Sequence, residues 1–373
     1  MIQPAIHGGQ VYLLAKQLGR PVETLVDFSA SMNPLGIPVS VLQAMHTAID
    51  GCQHYPDSDS EDLRACLSQE YGIAQESILV GNGSVEIIRA LPRALDLRHG
   101  LIVGPTFSEF ERSLRLAGVT TSAVDAVSAQ RYAPPLEALL DVLKKRKRSR
   151  SLKTAVSHYA VIVCNPNSPT GRHISRRDFR RIMSEVNRVG CWLIVDEAFI
   201  DWCPSHSLMR DLALCPRLVI LRSFTKFFAI PGIRLGYVVG ESSVIQSIRS
   251  HLPPWSVNHV AQAAGLAALN DKRFRQRSLG FMQEERTHFL KELRSLPVLR
   301  VIPSQVNFVM VEIPTQVAVE GIVIRLEAQG ILVRDCQTFS GMMKPALRFA
   351  VRRRRENHGL VQALRNILDD FNA

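Results

Sequence analysis

Short, almost unbroken apolar runs recur along the chain, each closed by a turn rich in Gly, Pro or Asn and followed by a stretch with helical spacing. In "SILVGNGSVEIIRALPRAL" (77–95) the apolar run predicts a strand and the two glycines a turn, and Ile87, Ile88 and Leu91 mark one face of a helix. "GLIVGPTFSEFERSLRLAG" (100–118), "YAVIVCNPNSPTG" (159–171), "CWLIVDEAFIDW" (191–202) and "RLVILRSFTK" (217–226) repeat the arrangement. Strands that are apolar at successive positions suit a sheet covered by helices on both faces. The spacing therefore predicts a large α/β unit with a mostly parallel sheet.

After a long helical stretch over 255–295 the pattern changes. "VLRVIPSQVNFVMVEI" (298–313), a helix over 315–329, "GILVRDC" (330–336), "ALRFAVR" (346–352) and a closing helix from 356 predict a smaller α+β unit packed on the first. No internal repeat and no linker composition separates the two. At 373 residues the chain exceeds what one hydrophobic core usually organises, in keeping with one large and one smaller domain.

With 46% hydrophobic and 21% charged residues, the composition is that of an ordinary globular protein. No run approaches the roughly 18 apolar residues of a membrane helix, and "MIQPAIHGGQ" lacks the basic and apolar regions of a leader, so the expected address is the cytosol, with no membrane partner. Seven scattered cysteines without metal-ligand spacing point to reduced thiols and no metal. The net charge of +11 suits either nucleic acid or an acidic small molecule. Much of it lies in "KKRKRSRSLK" (144–153) and "RRRR" (352–355), and neither run carries the interleaved aromatics that stack on bases, so no nucleic-acid partner is expected.

Candidate chemistry sits where the predicted strands end. Lys226, in "RSFTKFFAIPGIRLGY", stands between two hydroxyl residues and an aromatic, apolar run. A charged amine in apolar surroundings loses its proton or finds a counter-charge, and a desolvated amine attacks carbonyl compounds such as pyridoxal phosphate. The other reading is a strand-end lysine that reaches out to water. "GNGS" (81–84) opens a helix with free N–H groups that can cradle a phosphate, or is simply a tight turn. Asp196 in "VDEAF" is either a helix cap or a buried carboxylate awaiting a cation such as a protonated pyridine nitrogen.

Taken in order, the Gly-rich turn, "PTF", "NPNSPTG", "DEAF" and "SFTK" with "RLGY" resemble the fold-type I pyridoxal phosphate enzymes, the aspartate aminotransferase superfamily, over essentially the whole chain. The resemblance implies a PLP-dependent transferase-like fold with pyridoxal 5′-phosphate as cofactor. It implies that residues 1–40 join the small domain and the substrate site, that 41–295 form the large cofactor-binding domain, and that 296–373 form the small domain. Lys226 would be the Schiff-base lysine and Asp196 the partner of the pyridine nitrogen. Gly83, Ser84, Ser223 and Arg234 would bind the cofactor phosphate, and Phe107 would stack on the ring. Tyr55, in "HYPDSDSEDLR", matches a tyrosine that reaches the neighbouring subunit's cofactor, which implies a homodimer with shared active sites. Where most relatives have Asn before Pro-Thr-Gly, this chain has Ser168 preceded by Asn167, and either residue could serve the phenolic oxygen.

Within the superfamily the chain is similar to the branch containing threonine-phosphate decarboxylases and histidinol-phosphate aminotransferases. "HGG" (7–9), "DFSASMNPLG" (27–36), "TKFFAIPGIRLGY", Phe199 in "DEAF" and "PWSVN" (254–258) resemble the decarboxylases more closely. That likeness implies decarboxylation of L-threonine O-3-phosphate to (R)-1-aminopropan-2-yl phosphate in cobalamin biosynthesis, with an aminotransferase acting on histidinol phosphate or a related amine as the alternative. It makes a phosphorylated amino acid the substrate. Arg348 would bind its carboxylate and Arg334 its phosphate, with His7, Gly8 and Ser31 alongside. Ser31 departs from the Asn usual in the motif.

Overall fold

The computed structural model describes residues 7–148 and 158–372. In chain order the strands are β1 (Val26–Asp27), β2 (Ile78–Gly81), β3 (His99–Gly104), β4 (Thr120–Asp125), β5 (Tyr159–Cys164), β6 (Trp192–Asp196), β7 (Leu218–Ser223), β8 (Gly236–Val239), β9 (Arg300–Val301), β10 (Phe308–Glu312), β11 (Ile331–Leu332), β12 (Arg334–Asp335) and β13 (Ala346–Ala350). Seven of them form one sheet in the order β2-β8-β7-β6-β5-β3-β4. Neighbours are parallel except at β8, which runs antiparallel to both β2 and β7. Successive residues of one strand reach opposite cores: Val161 and Val163 of β5 pack on one face, Ala160 and Ile162 on the other. This α/β architecture is what the unbroken apolar runs predict.

β4 escapes the apolar pattern. It reads Thr-Thr-Ser-Ala-Val-Asp at the sheet edge, with Thr120 and Ser122 hydroxyls each 2.8 Å from the His99 ring. An edge strand with a polar outer face has no continuous run to detect. The stretch 255–295 is two helices, His259–Asn270 and Lys272–Arg294. Asp271 separates them, because its carboxylate accepts the Phe274 N–H at 2.8 Å and the Ser40 hydroxyl at 2.6 Å as a helix cap.

"GILVRDC" also divides. β11 pairs in parallel with β1, while β12 joins β13, β10 and β9 in an antiparallel four-stranded sheet. The N-terminal segment is thereby fastened to the C-terminal sheet, where Phe28 donates to the Leu332 carbonyl and accepts from the Ala350 N–H, each at 2.8 Å. One apolar cluster runs from β5 and β6 to Phe308, Leu347 and Phe349, so the two sheets share a core.

Of the basic runs, the first begins in the helix Leu136–Arg148, and its residues 149–153 lie outside the described residues. In the second, Arg352 pairs with Glu356, and Arg354 with Glu284 and Glu285. Among the described residues no helix is long and apolar enough to cross a membrane, and no group of His, Cys, Asp and Glu could hold a metal. All seven cysteines are free.

Candidate active site

β5, β6 and β7 end side by side at Cys164, Asp196 and Ser223, and a cavity of about 820 Å³ opens there. Ligands of open α/β sheets bind at such strand ends. The Asp196 carboxylate is buried. Its Oδ1 accepts the Ala198 N–H at 2.9 Å, whereas among the described residues Oδ2 meets only the Cys164 thiol, at 3.8 Å. Burial pushes the carboxyl up to about 6, against the pull of the Ala198 N–H and the thiol. Lys226, three residues past β7, reaches the same cavity. Burial pushes its amine down to about 8, the Arg348 and Arg234 guanidiniums push the same way, and Asp27 and Asp196 oppose them. The half-buried amine lines a cavity that also carries Asp196, Arg234 and Arg348, which removes the reading of a strand-end lysine in bulk water.

Gly83 precedes the helix Ser84–Ala94 with φ 77 and ψ 158, a region essentially restricted to glycine. A Cβ there would stand 2.6 Å from Arg234 Nη2, so the bare backbone lets the guanidinium close on the helix N-terminus. Free N–H groups and a guanidinium together favour an anion. Ser84, Ser223 and Arg234 line this end of the cavity, joined by Thr225, whose hydroxyl lies 2.8 Å from that of Ser223. Phe107 caps the next helix, Ser108–Leu116, and its ring forms another wall.

The opposite wall comes from the two ends of the chain. Arg348 of β13 is buried; Nη1 donates to Ser168 Oγ at 2.7 Å and Nη2 to the Ser29 carbonyl at 2.9 Å. Its Nε has no partner, and among the described residues no carboxylate forms an ion pair with it. Burial lowers its pKa to about 10, which still leaves it charged at neutral pH. Arg334 of β12, also buried, donates to Thr338 Oγ1 at 2.8 Å and lies over the Phe339 ring. Ser31 is 1% exposed and its hydroxyl has no partner among the described residues. His7 Nε2 lies 3.0 Å from Glu109 Oε1, with its ring centroid 5.6 Å from that of Phe107.

Every candidate drawn from the sequence lines this cavity except Gly83, Asn167 and Tyr55. Gly83 stands behind Arg234. Of the two alternatives, Asn167 is engaged elsewhere: its amide donates to the Pro105 carbonyl at 2.9 Å and to Thr170 at 3.0 Å, and its carbonyl accepts from Thr106 at 2.8 Å. These bonds turn it into the loop, and Ser168 alone of the pair faces the cavity. Tyr55 is 81% exposed and packs against Trp255 with the rings tilted by 32° and their centroids 4.8 Å apart, outside the cavity of its own chain.

Arg89, Glu109 and Arg112 also line the cavity, and the sequence motifs do not single them out. Glu109 and Arg112 share a helix face directly after "PTF", and Arg89 follows the cavity-lining Val85 by one turn. Charged residues spaced along a helix that opens at a strand end were the available signal.

These groups fit pyridoxal 5′-phosphate: a buried carboxylate with one uncommitted oxygen suits a charged ring nitrogen, a desolvated amine suits an aldehyde, and an arginine-closed helix terminus suits a phosphate. The family described as aminotransferase class I and II matches residues 23–364. A threonine-phosphate decarboxylase of Salmonella typhimurium is 35% identical, over 97% of this chain and 96% of its own. The structure of a histidinol-phosphate aminotransferase from Clostridium acetobutylicum matches with a TM-score of 0.83 at 28% identity, covering 93% of this chain and 100% of that one. A histidinol-phosphate aminotransferase from Sinorhizobium meliloti, solved in complex with pyridoxal-5′-phosphate, shares the fold at a TM-score of 0.82 and 20% identity, covering 99% of this chain and 96% of that one. The chain therefore belongs to the class I and II aminotransferase family and is a pyridoxal 5′-phosphate-dependent enzyme.

Proposed function

We propose that the enzyme releases CO₂ from L-threonine O-3-phosphate, giving (R)-1-aminopropan-2-yl phosphate for cobalamin biosynthesis. The observation that carries this reading is Arg348, a buried guanidinium on the cavity wall whose hydrogen-bond acceptors among the described residues are the neutral oxygens of Ser168 and Ser29. Its charge is left for an incoming carboxylate, which its planar fork matches. Identity of 35% to a threonine-phosphate decarboxylase supports the choice of substrate and bond.

In this reading Asp196 holds positive charge at the cofactor's ring nitrogen. The Ser84 N–H, the Ser223 hydroxyl and Arg234 would hold its phosphate, while the Gly83 N–H is taken by the Gly81 carbonyl at 2.7 Å, and Phe107 would cover its ring. When bound, pyridoxal 5′-phosphate supplies an electron sink for the pair freed at the substrate Cα. Arg348 and Arg334 would hold the substrate's two anionic groups and so orient the bonds at its Cα. Ser168 keeps Arg348 in place, and Ser31, Gly8 and His7 close the substrate side. Lys226 Nζ, with its pKa pushed down to about 8, exchanges protons readily near neutral pH and returns one to Cα after CO₂ departs. Seven free cysteines support a reducing, cytosolic setting, and we propose a homodimer in which Tyr55 serves the neighbouring subunit's cofactor.

The deciding assay incubates the cofactor-loaded enzyme with threonine phosphate in the presence and absence of 2-oxoglutarate. Release of CO₂ at the same rate in both is expected. Amino transfer from histidinol phosphate to the keto acid, with no CO₂ from threonine phosphate, would replace this reading with that of an aminotransferase.

A further inference from the structure

We propose that Arg89 and Arg112, gathered with His7 around the buried carboxylate of Glu109, form a second half of the substrate's phosphate subsite, complementing Arg334, which lines the same cavity. Glu109 is 4% exposed. Its Oε2 lies 2.5 Å from Arg89 Nη2 and 3.7 Å from Arg112 Nη1, and its Oε1 3.0 Å from His7 Nε2. One buried carboxylate is satisfied by one close cation, and Arg89 is that cation. Arg112 is surplus: 3.7 Å is beyond hydrogen-bond reach, its Nε is buried without a partner, and it donates no hydrogen bond to any described residue. All four side chains line the cavity, so at least one full positive charge is left facing a ligand. A phosphate dianion, with three acceptor oxygens, is the ligand such a group of donors matches.

The cluster is also tied to the carboxylate side. Gly9 N–H donates to Ser29 Oγ at 2.7 Å, and a Cβ on Gly8 would come within 2.4 Å of the Ser29 carbonyl, the same oxygen that holds Arg348. Ser29 is in turn fixed by Asp27 Oδ1, which accepts from its N–H at 2.7 Å and its hydroxyl at 2.6 Å. His7 and Arg348 thus hang from one turn. The 27–29 turn therefore ties the placement of the phosphate cluster to that of the carboxylate-binding arginine. The inference rests on a phosphorylated substrate, but not on which bond at Cα is broken.

The test uses the cofactor-loaded enzyme and inorganic phosphate as probe, followed by calorimetry and by the cofactor's absorbance. The variants are Arg112→Met and the pair Arg89→Met with Glu109→Gln, which leaves no unpaired carboxylate. For Arg112→Met, loss of one charged contact predicts about tenfold weaker phosphate binding and a similar rise in KM for threonine phosphate, with kcat within about twofold; the pair removes one charge of each sign, leaves Arg112 in place and should change phosphate binding by less than about threefold. Turnover of unphosphorylated threonine should not change. Should Arg112→Met fail to retain cofactor, Arg112→Lys is read instead, with about threefold weakening expected from loss of the planar fork. Unchanged phosphate affinity in the Arg112 variants, with binding lost only in Arg334→Met, would overturn the proposal. If the wild type releases no CO₂ from threonine phosphate while Arg112→Met still weakens phosphate binding, the subsite stands and the proposed reaction falls.

Discussion

Asp196 and Lys226 sit where folding alone would not put them. Asp196 titrates near 6 in the folded protein and near the ordinary 3.8 when unfolded. Its burial therefore costs stability above pH 6, and the cost is relieved as pH falls from 6 toward 4. Lys226 is pushed from 10.5 to about 8, so its cost is in force below pH 8 and is relieved as pH rises from 8 toward 10.5. At pH 7 both costs act, each on the order of 3 kcal/mol before water in the cavity screens them. Without cofactor, Asp196→Asn and Lys226→Met should each raise stability in urea at pH 7, by about 1–3 kcal/mol, while abolishing turnover. The gain should vanish for Lys226→Met near pH 10.5 and for Asp196→Asn near pH 4. Two variants no more stable than wild type at pH 7 would refute the buried-charge account. These two residues were legible because an isolated charge in an apolar run is conspicuous. The choice between Asn167 and Ser168 stayed open in the sequence because the orientation of Asn167 depends on Thr106, sixty-one positions away, and no local pattern records that bond.

At the scale of elements, the strand ends do two jobs by alternation. Asp196 and Ser223 face the cavity, while their neighbours Glu197 and Arg222 turn the other way into a buried ion network. Arg222 Nη1 lies 3.1 Å from Glu197 and Nη2 2.8 Å from Asp201, which also meets Arg275 at 3.4 Å. The network locks the ends of β6 and β7 to each other, and so fixes the relative placement of Asp196 and Ser223. Arg222→Met leaves two buried carboxylates short of their closest cation and should cost about 3–5 kcal/mol in chemical denaturation. A loss under 1 kcal/mol would mean the network is idle. The sequence carries this device in "DEAF" and "RSFTK", yet motifs name only the cavity-facing member of each pair. Sheet strands with two buried faces were readable from their unbroken apolar runs. β4 and the break at Asp271 were not, since one is a polar edge and the other is set by a tertiary bond to Ser40. The Gly83 turn belongs to this scale too. Gly83→Ala forces a Cβ toward Arg234 at a glycine-only φ/ψ, and should weaken cofactor binding at least about tenfold at a strain of roughly 1–3 kcal/mol.

For the whole molecule, the exposed apolar surface is uneven. Tyr12, Leu13, Ile37, Val39, Leu42, Ile49 and Tyr55 are all exposed within residues 12–55. The helix Val39–Ala48 packs on His259–Asn270, and Tyr55 lies against Trp255, so residues 39–55 and 255–259 form one continuous face. A face of this kind is ordinarily covered by a partner, and a second copy related by a twofold axis covers it reciprocally. Sedimentation should then find a dimer, and Val39→Glu with Leu42→Glu should shift it to monomer with loss of turnover. Tyr55 gives the sharper test, because a side chain outside its own cavity either serves the neighbour's site or serves none. Tyr55→Ala and Lys226→Ala would each be impaired alone. Unfolding and refolding the two together makes half the dimers mixed, and in each mixed dimer one site regains both residues. Turnover should recover to roughly a quarter of wild type, the share expected for one intact site in two across half the population. Mixed dimers that form and remain inactive would show that the sites are not shared.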